Sequence, residues 1–146
     1  MKFLFLLLLL SCQALGALAQ LRPKAKPKPP AAIPAATLAR GAVVYKNVCL
    51  TCHQADGYGV PNLNPPLIKT EYVLGAKPRL IGIVLHGLKG PIEINGDEYK
   101  QAMPAQAYLT DAQVADVLTY VRNAFGNKAG AISAAEVKAA RAGSAR

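Results

Sequence analysis

Cys49-Leu50-Thr51-Cys52-His53 is the stretch on which the reading of this chain turns. Two thiols three positions apart, followed at once by an imidazole, form the attachment pattern of a c-type haem. The order follows from the chemistry. Each thiol adds across a haem vinyl group to give a thioether, and the spacing matches the separation of the two vinyls. The next residue is then held under the ring, where an imidazole nitrogen binds iron as the proximal ligand. Thioredoxin-like redox pairs and half zinc sites share a bare CxxC. Here no second CxxC or His pair completes a zinc site, and the flanks show no βαβ pattern. Covalent attachment of one haem c is therefore preferred over a plain disulfide or a reactive dithiol.

Upstream of this stretch the chain reads as leader and linker. Met1-Lys2, the apolar run to Leu10 and the small residues Ala17-Leu18-Ala19 before Gln20 predict a secretory signal peptide over 1–19. The run is too short to be taken as a membrane span. Leu9-Leu10-Ser11-Cys12 loosely resembles a lipoprotein processing site, which ranks second because cleavage there leaves an unusually short signal. If it were used, Cys12 would be the lipidated N-terminus and the protein a membrane-anchored lipoprotein. A periplasmic or otherwise exported location suits the cysteine usage, since the haem consumes both remaining thiols. Residues 20–36, with Pro-Lys-Ala-Lys-Pro-Lys-Pro-Pro at their centre, have little to bury and favour an extended, polyproline-like spacer. Contact with an anionic surface is a secondary reading of the same lysines. The folded domain is expected over 37–146, with a short helical extension at about 128–146.

The net charge of +9 is concentrated in part on that spacer. From Thr37 onward there are 12 basic and 8 acidic residues, so the domain carries about +4 before haem propionates are counted. The charge is dispersed, export is signalled and no aromatic stacking platform accompanies it, so nucleic-acid binding is rejected. Solubility and weak steering toward acidic partners remain.

Local patterning predicts a small helical domain. Thr37 can cap a helix carrying Leu38, Gly41, Tyr45 and Val48 on one face, which delivers the chain to the CxxCH turn. Thr110-Asp111-Ala112-Gln113 is a capping box for a second helix with the stripe Val114, Val117, Leu118 and Val121, ended by Gly126-Asn127. Shorter helices are expected around Lys69–Leu74 and from about Arg79 to Leu85, with Pro78 near the start of the latter and Gly87 just past its end. Ile92-Glu93-Ile94-Asn95-Gly96 reads as a strand and a type I′ turn, with Tyr99 on the return arm. Residues from about Ser133 to Arg141 add a short amphipathic helix. About ninety residues separate the limits of the two main helices, which is small for a stable apolar core. A covalently bound haem would supply the missing interior.

A haem iron held by one His has a sixth position, filled by His, by Met, or left open. Met1 leaves with the signal, so Met103 is the remaining thioether. A lone Met is commonly core filler. Against that, Gln101-Ala102-Met103-Pro104-Ala105 is a loop between elements, stiffened by Pro104 and without helical periodicity. His86 is the other imidazole. It falls where a helix should end, a position that suits a partly protonated His, and this is preferred over a bis-His haem. Asp56-Gly57-Tyr58-Gly59 has too few glycines and no preceding strand for a phosphate loop, and reads as the turn by which the chain leaves the haem.

In combination, several segments resemble the class I (mitochondrial-type) cytochromes c, particularly short bacterial monohaem members that accompany periplasmic or membrane dehydrogenases and oxidases. They are Gly41-Ala42-Val43-Val44-Tyr45, the CxxCH stretch with Gln54, Asn64-Pro65-Pro66-Leu67, Met103-Pro104-Ala105, and Val117-Leu118-Thr119-Tyr120-Val121-Arg122. The resemblance covers roughly Leu38 to Asn127 and extends over the short tail to Arg141. It implies an all-α cytochrome c fold of three to five helices around one covalently bound haem, with the small β-hairpin as an insertion before the distal ligand. It further implies that Cys49 and Cys52 bind the haem, that His53 and Met103 are the iron ligands, and that the Pro65 carbonyl accepts the proximal imidazole N–H. Gly41 would permit close, near-perpendicular packing of the two main helices, flanked by Tyr45 and Tyr120. The propionate partners do not transfer; Tyr72, Arg79 and Tyr99 qualify only by type.

The function so implied is single-electron transfer rather than catalysis, because both axial positions are filled and no substrate reaches the metal without displacing a ligand. The expected partners are redox proteins: a dehydrogenase or quinol-oxidising complex as donor, an oxidase or second cytochrome as acceptor. Two other readings stand beside it. One is a dedicated haem subunit of a larger dehydrogenase, and the other a haem enzyme or gas binder with a labile distal ligand.

Overall fold

The computed structural model describes residues 32–144. The expected leader over 1–19, with Cys12, and most of the Pro/Lys-rich stretch lie outside the described residues. The first helix, α1 (Ala35–Val44), starts behind Pro34, whose carbonyl accepts from the Thr37 and Leu38 amides. It therefore begins inside the 20–36 stretch, ahead of the Thr37 expected to cap it. The reason is local. Ala35 and Ala36 are strong helix formers, and a proline just before them provides the extended entry. Thr37 instead lies within the first turn, where its hydroxyl accepts from Arg40 at 3.3 Å.

The helical run continues through a π-helical turn, Tyr45–Cys49, into α2 (Leu50–His53). The wider turn shifts the side-chain register just where Cys49 must face inward, and such turns concentrate at functional sites. Gln54, at φ 61°, breaks the run, and the Tyr45 hydroxyl donates to its carbonyl at 2.7 Å. A looped segment then leads to α3 (Glu71–Leu74), which Thr70 caps by accepting from the Val73 amide at 3.3 Å. Next comes α4 (Lys77–His86), with Pro78 in its first turn and Gly87 at φ 77° ending it.

The hairpin pairs β1 (Ile92–Ile94) with β2 (Asp97–Tyr99) antiparallel, Ile92 opposite Tyr99. Asn95 and Gly96 both take positive φ, as a type I′ turn demands. The last two helices are α5 (Asp111–Val121) and α6 (Ala134–Ser144). The Thr110–Gln113 capping box of α5 is complete. The regular helix ends at Val121, five residues before the Gly126-Asn127 expected to end it. One more turn, in which the Ala124 amide donates to the Tyr120 carbonyl at 2.7 Å, leads to a reversal over Phe125 and Gly126, both at positive φ. Ser133 and Glu136 form a reciprocal cap for α6.

The core joins Tyr45 of the π turn, Val73 of α3, Leu80, Ile81, Val84 and Leu85 of α4, and Val114, Val117, Leu118 and Val121 of α5. Leu109, Ala115, Ile132 and Val137 complete it, so the C-terminal extension is a docked part of the interior. The α1–α5 contact passes through Gly41. A Cβ there would lie 2.6 Å from Tyr120 Cβ and closer still to the Asp116 carbonyl oxygen, so only glycine fits. Arg40 clamps the same contact with a bidentate pair to Asp116 at 2.6 and 3.0 Å. Mostly helical with one two-stranded hairpin, the architecture matches the expected cytochrome c fold.

Candidate haem site

A mostly apolar cavity occupies the centre of this fold. α4 supplies Leu80, Ile83 and Val84, the hairpin Ile92 and Ile94, and α5 Val117, Leu118 and Val121. The helical run through α2 adds Val48, Cys49, Cys52 and His53, and the loop after it Pro65, Pro66 and Leu67. Met103 and Pro104 also line it. Five residues singled out from sequence, spread over 55 positions from Cys49 to Met103, thus meet at one cavity.

His53 is buried, and its Nδ1–H donates to the Pro65 carbonyl at 3.0 Å. That bond occupies one ring nitrogen and leaves Nε2 as the atom able to bind metal. Burial holds the imidazole pKa below its ordinary value, with the Pro65 bond opposing the shift, so the ring favours the neutral form a ligand requires. The approach of Pro65 depends on Gly59, at φ 70°. A Cβ there would lie 2.6 Å from the Pro65 oxygen and closer to that of Asn64. No disulfide joins Cys49 to Cys52. Burial first, and then Cys52, pushes the Cys49 thiol up to about 11. That is the opposite of the lowered pKa that makes a redox dithiol reactive.

Met103 stands in extended backbone. It pairs with Leu88 in an isolated antiparallel bridge, donating to the Leu88 carbonyl at 2.9 Å and accepting from the Leu88 amide at 3.0 Å. The Leu88 pairing had no signal in the sequence, because a single bridge leaves no alternating pattern. Gln106 was likewise unmarked. Its amide donates to the Val84 carbonyl and its side chain to that of Pro104, which fixes the exit of the Met103 loop against α4. His86 is exposed at the end of α4 and does not line the cavity, which removes the structural basis for a bis-His site. Tyr72 does line it, with the Arg79 guanidinium 4.0 Å above its ring and paired to Glu71. Tyr99 is buried in the hairpin and does not line the cavity.

Two thiols and an imidazole on one segment, a thioether on another and an aliphatic lining are the donor set and surroundings of a haem c. The cytochrome c family model matches residues 38–125. The chain belongs to the cytochrome c family. It is 38% identical over 93 residues to cytochrome c-552 of Thermus thermophilus, an alignment covering 61% of this chain and 70% of that one. It is 37% identical over 100 residues to the cytochrome c subunit of the quinone-dependent alcohol dehydrogenase of Gluconacetobacter polyoxogenes. With the fructose dehydrogenase cytochrome subunit of Gluconobacter japonicus, identity is 35% over 111 residues. These two matches cover 66% and 70% of this chain but only 21% and 22% of the dehydrogenase subunits, so the chain spans about a fifth of each. As a c-type cytochrome, the protein carries covalently attached haem c and transfers electrons.

Proposed function

We propose that this cytochrome c is an exported, single-haem carrier in which Cys49 and Cys52 would hold the haem while His53 and Met103 would bind its iron. The observation that carries the reading is that His53, tied to Pro65, and Met103 line one cavity whose walls are mostly aliphatic. When bound, the haem supplies one-electron cycling between ferric and ferrous iron. Pro65 keeps the His53 ring oriented and draws on its Nδ1 proton, which strengthens the donor at Nε2. Met103 adds a soft thioether that favours the reduced state and raises the potential. Val84, Leu118 and Val121 give the cavity aliphatic walls that would cover part of a bound haem.

Residues 1–19 serve in this reading as an export signal to the periplasm and the stretch from 20 to the start of α1 as a spacer; lipidation at Cys12 is the alternative anchor. No helix among the described residues is long and apolar enough to cross a membrane. The donor is a dehydrogenase or quinol-oxidising complex and the acceptor an oxidase or second cytochrome, met through small transient contacts. The likeness to dehydrogenase cytochrome subunits favours one second reading, a subunit docked on such an enzyme.

The test is the absorption spectrum of protein made in a host with c-type maturation, oxidised, reduced and then exposed to carbon monoxide. The expected result is covalent haem with a ferric Met–iron charge-transfer band that Met103→Ala abolishes, and no response to carbon monoxide in the wild type. A missing band with a prompt carbon monoxide shift would overturn the Met103 assignment and favour gas or peroxide chemistry. Co-purification with a dehydrogenase at fixed stoichiometry would favour the subunit reading.

A further inference from the structure

We infer that Asn127 is a positioning residue for the bond between Pro65 and His53, setting the donor strength of the imidazole from the far end of α5. The inference rests on the proposed role of His53 as iron ligand. Its starting point is a deficit of donors. Pro65 and Pro66 have no N–H, so this segment cannot anchor itself where its carbonyl has to meet the His53 ring. The first amide after them, that of Leu67, is tied to the Gly57 carbonyl at 2.8 Å. Immediately beyond, Asn127 takes hold. Its Nδ2 donates to the Leu67 carbonyl at 2.9 Å, and its Oδ1 accepts from the Lys69 amide at 2.8 Å.

The other Nδ2 hydrogen goes to the Val121 carbonyl at 2.8 Å, on the last turn of α5. Asn127 is 2% exposed, so these bonds are made out of water and strongly fix its position. The amide thus spans two backbones, the end of α5 and the segment 67–69. Two prolines with fixed φ make the intervening chain stiff, so a displacement at Leu67 is passed to the Pro65 carbonyl instead of being absorbed. Losing the Asn127 amide should lengthen the His53–Pro65 bond, weaken the imidazole as a donor and favour the reduced state.

The test uses the haem-loaded protein and three variants. Asn127→Ala removes all three bonds. Asn127→Asp keeps an acceptor for the Lys69 amide but offers no donor to the Leu67 and Val121 carbonyls. Thr119→Val is the control, since Thr119 is also buried on α5 but its hydroxyl bonds to Ile132, away from the 65–69 segment. Two quantities are read: the midpoint potential, and the NMR exchange rate of the His53 ring N–H, compared at equal distance below each variant's unfolding midpoint. Both Asn127 variants should accelerate exchange several-fold, and Asn127→Ala should also shift the potential positive. The negative charge added by Asn127→Asp opposes that shift, so exchange is its readout, while Thr119→Val loses stability with neither change. Asn127→Ser, which keeps one donor and an acceptor, replaces the Ala variant if that does not accumulate. Asn127 variants that lose stability but keep wild-type potential and exchange overturn the inference alone. A wild-type His53 ring without haem-shifted resonances removes the ligand reading and this inference with it.

Discussion

His53 enters the cavity from the end of a helical run and is held by its own ring, whereas Met103 enters from extended backbone held by two hydrogen bonds to Leu88. Around His53 the restraints are dense. Gly59 donates to the His53 carbonyl, Leu67 to Gly57, and Asn127 ties Leu67 and Lys69 to α5. Around Met103 they are fewer: besides the Leu88 pair, the Gln101 amide donates to the Leu63 carbonyl at 3.1 Å. Ala102 and Pro104 are exposed, and the loop is next secured at Gln106 and then by Arg141, whose guanidinium donates to the Ala107 and Leu109 carbonyls. Local opening starts where buried contacts are sparse, so the distal half should yield before the proximal half. On the proposed assignment of His53 and Met103 as iron ligands, Met103 should be lost first, with the haem still attached.

Replacing Cys49 and Cys52 together by Ser should have the largest effect. It removes both attachment points from the firmer half. Covalent haem should vanish, read as loss of haem staining on a denaturing gel, and the small core should no longer hold. Gly41→Val comes next and should break both halves together. The added side chain must displace Tyr120 and the Asp116 backbone, and overpacking of this kind costs about 3 kcal/mol. In a denaturant titration the Met–iron band and the helical signal should fall at one lowered midpoint. A band that disappears well before the helix would show that the α1–α5 contact does not support the distal loop.

What the sequence revealed follows the same division. The proximal half is built from contiguous motifs: CxxCH, a glycine and a proline at fixed offsets, and a helix with a complete capping box. The hairpin was legible because Asn95-Gly96 dictates its turn whatever surrounds it. The distal half was legible only at Met103. The Leu88 bridge, the Gln106 bonds and the hold of Arg141 on the Met103 loop are pairings between distant positions of ordinary composition. The end of α5 was misjudged for a related reason. Gly126-Asn127 does terminate the excursion, but Asn127 reaches back to the Val121 carbonyl across an irregular turn that has no pattern of its own.

Arg141→Ala sharpens the comparison at smaller scale. Arg141 lies on α6, pairs with Asp111 at 2.7 Å and holds two carbonyls that follow the Met103 loop. Its loss should cost about 1–2 kcal/mol, since the buried Leu109 carbonyl loses a charged donor. The denaturant midpoint of the Met–iron band should fall, while His53 ring N–H exchange stays at the wild-type rate. Equal loosening on both sides would mean the two halves are one cooperative unit.

Glu136→Gln should have the smallest effect, and one that depends on pH. Glu136 accepts from Lys77 at 2.8 Å, joining α6 to α4, and from the Ser133 amide at the start of its own helix. The Lys77 hydrogen bond, followed by that from Ser133, holds its carboxyl below the usual carboxylate range. A depressed folded-state pKa means stabilisation that is fully present above the unfolded value and lost as pH falls through the folded one. The pair is partly exposed, so the gap in thermal midpoint between wild type and Glu136→Gln should be only a few degrees near neutrality. It should close below the ordinary carboxylate range, where the wild-type carboxyl is protonated as well. Because α6 carries Arg141, the Met–iron band should follow the same pH dependence while the exchange of the His53 ring N–H does not. A gap that persists unchanged in acid would mean that Glu136 acts through packing, and that α6 supports the distal side without help from its charge.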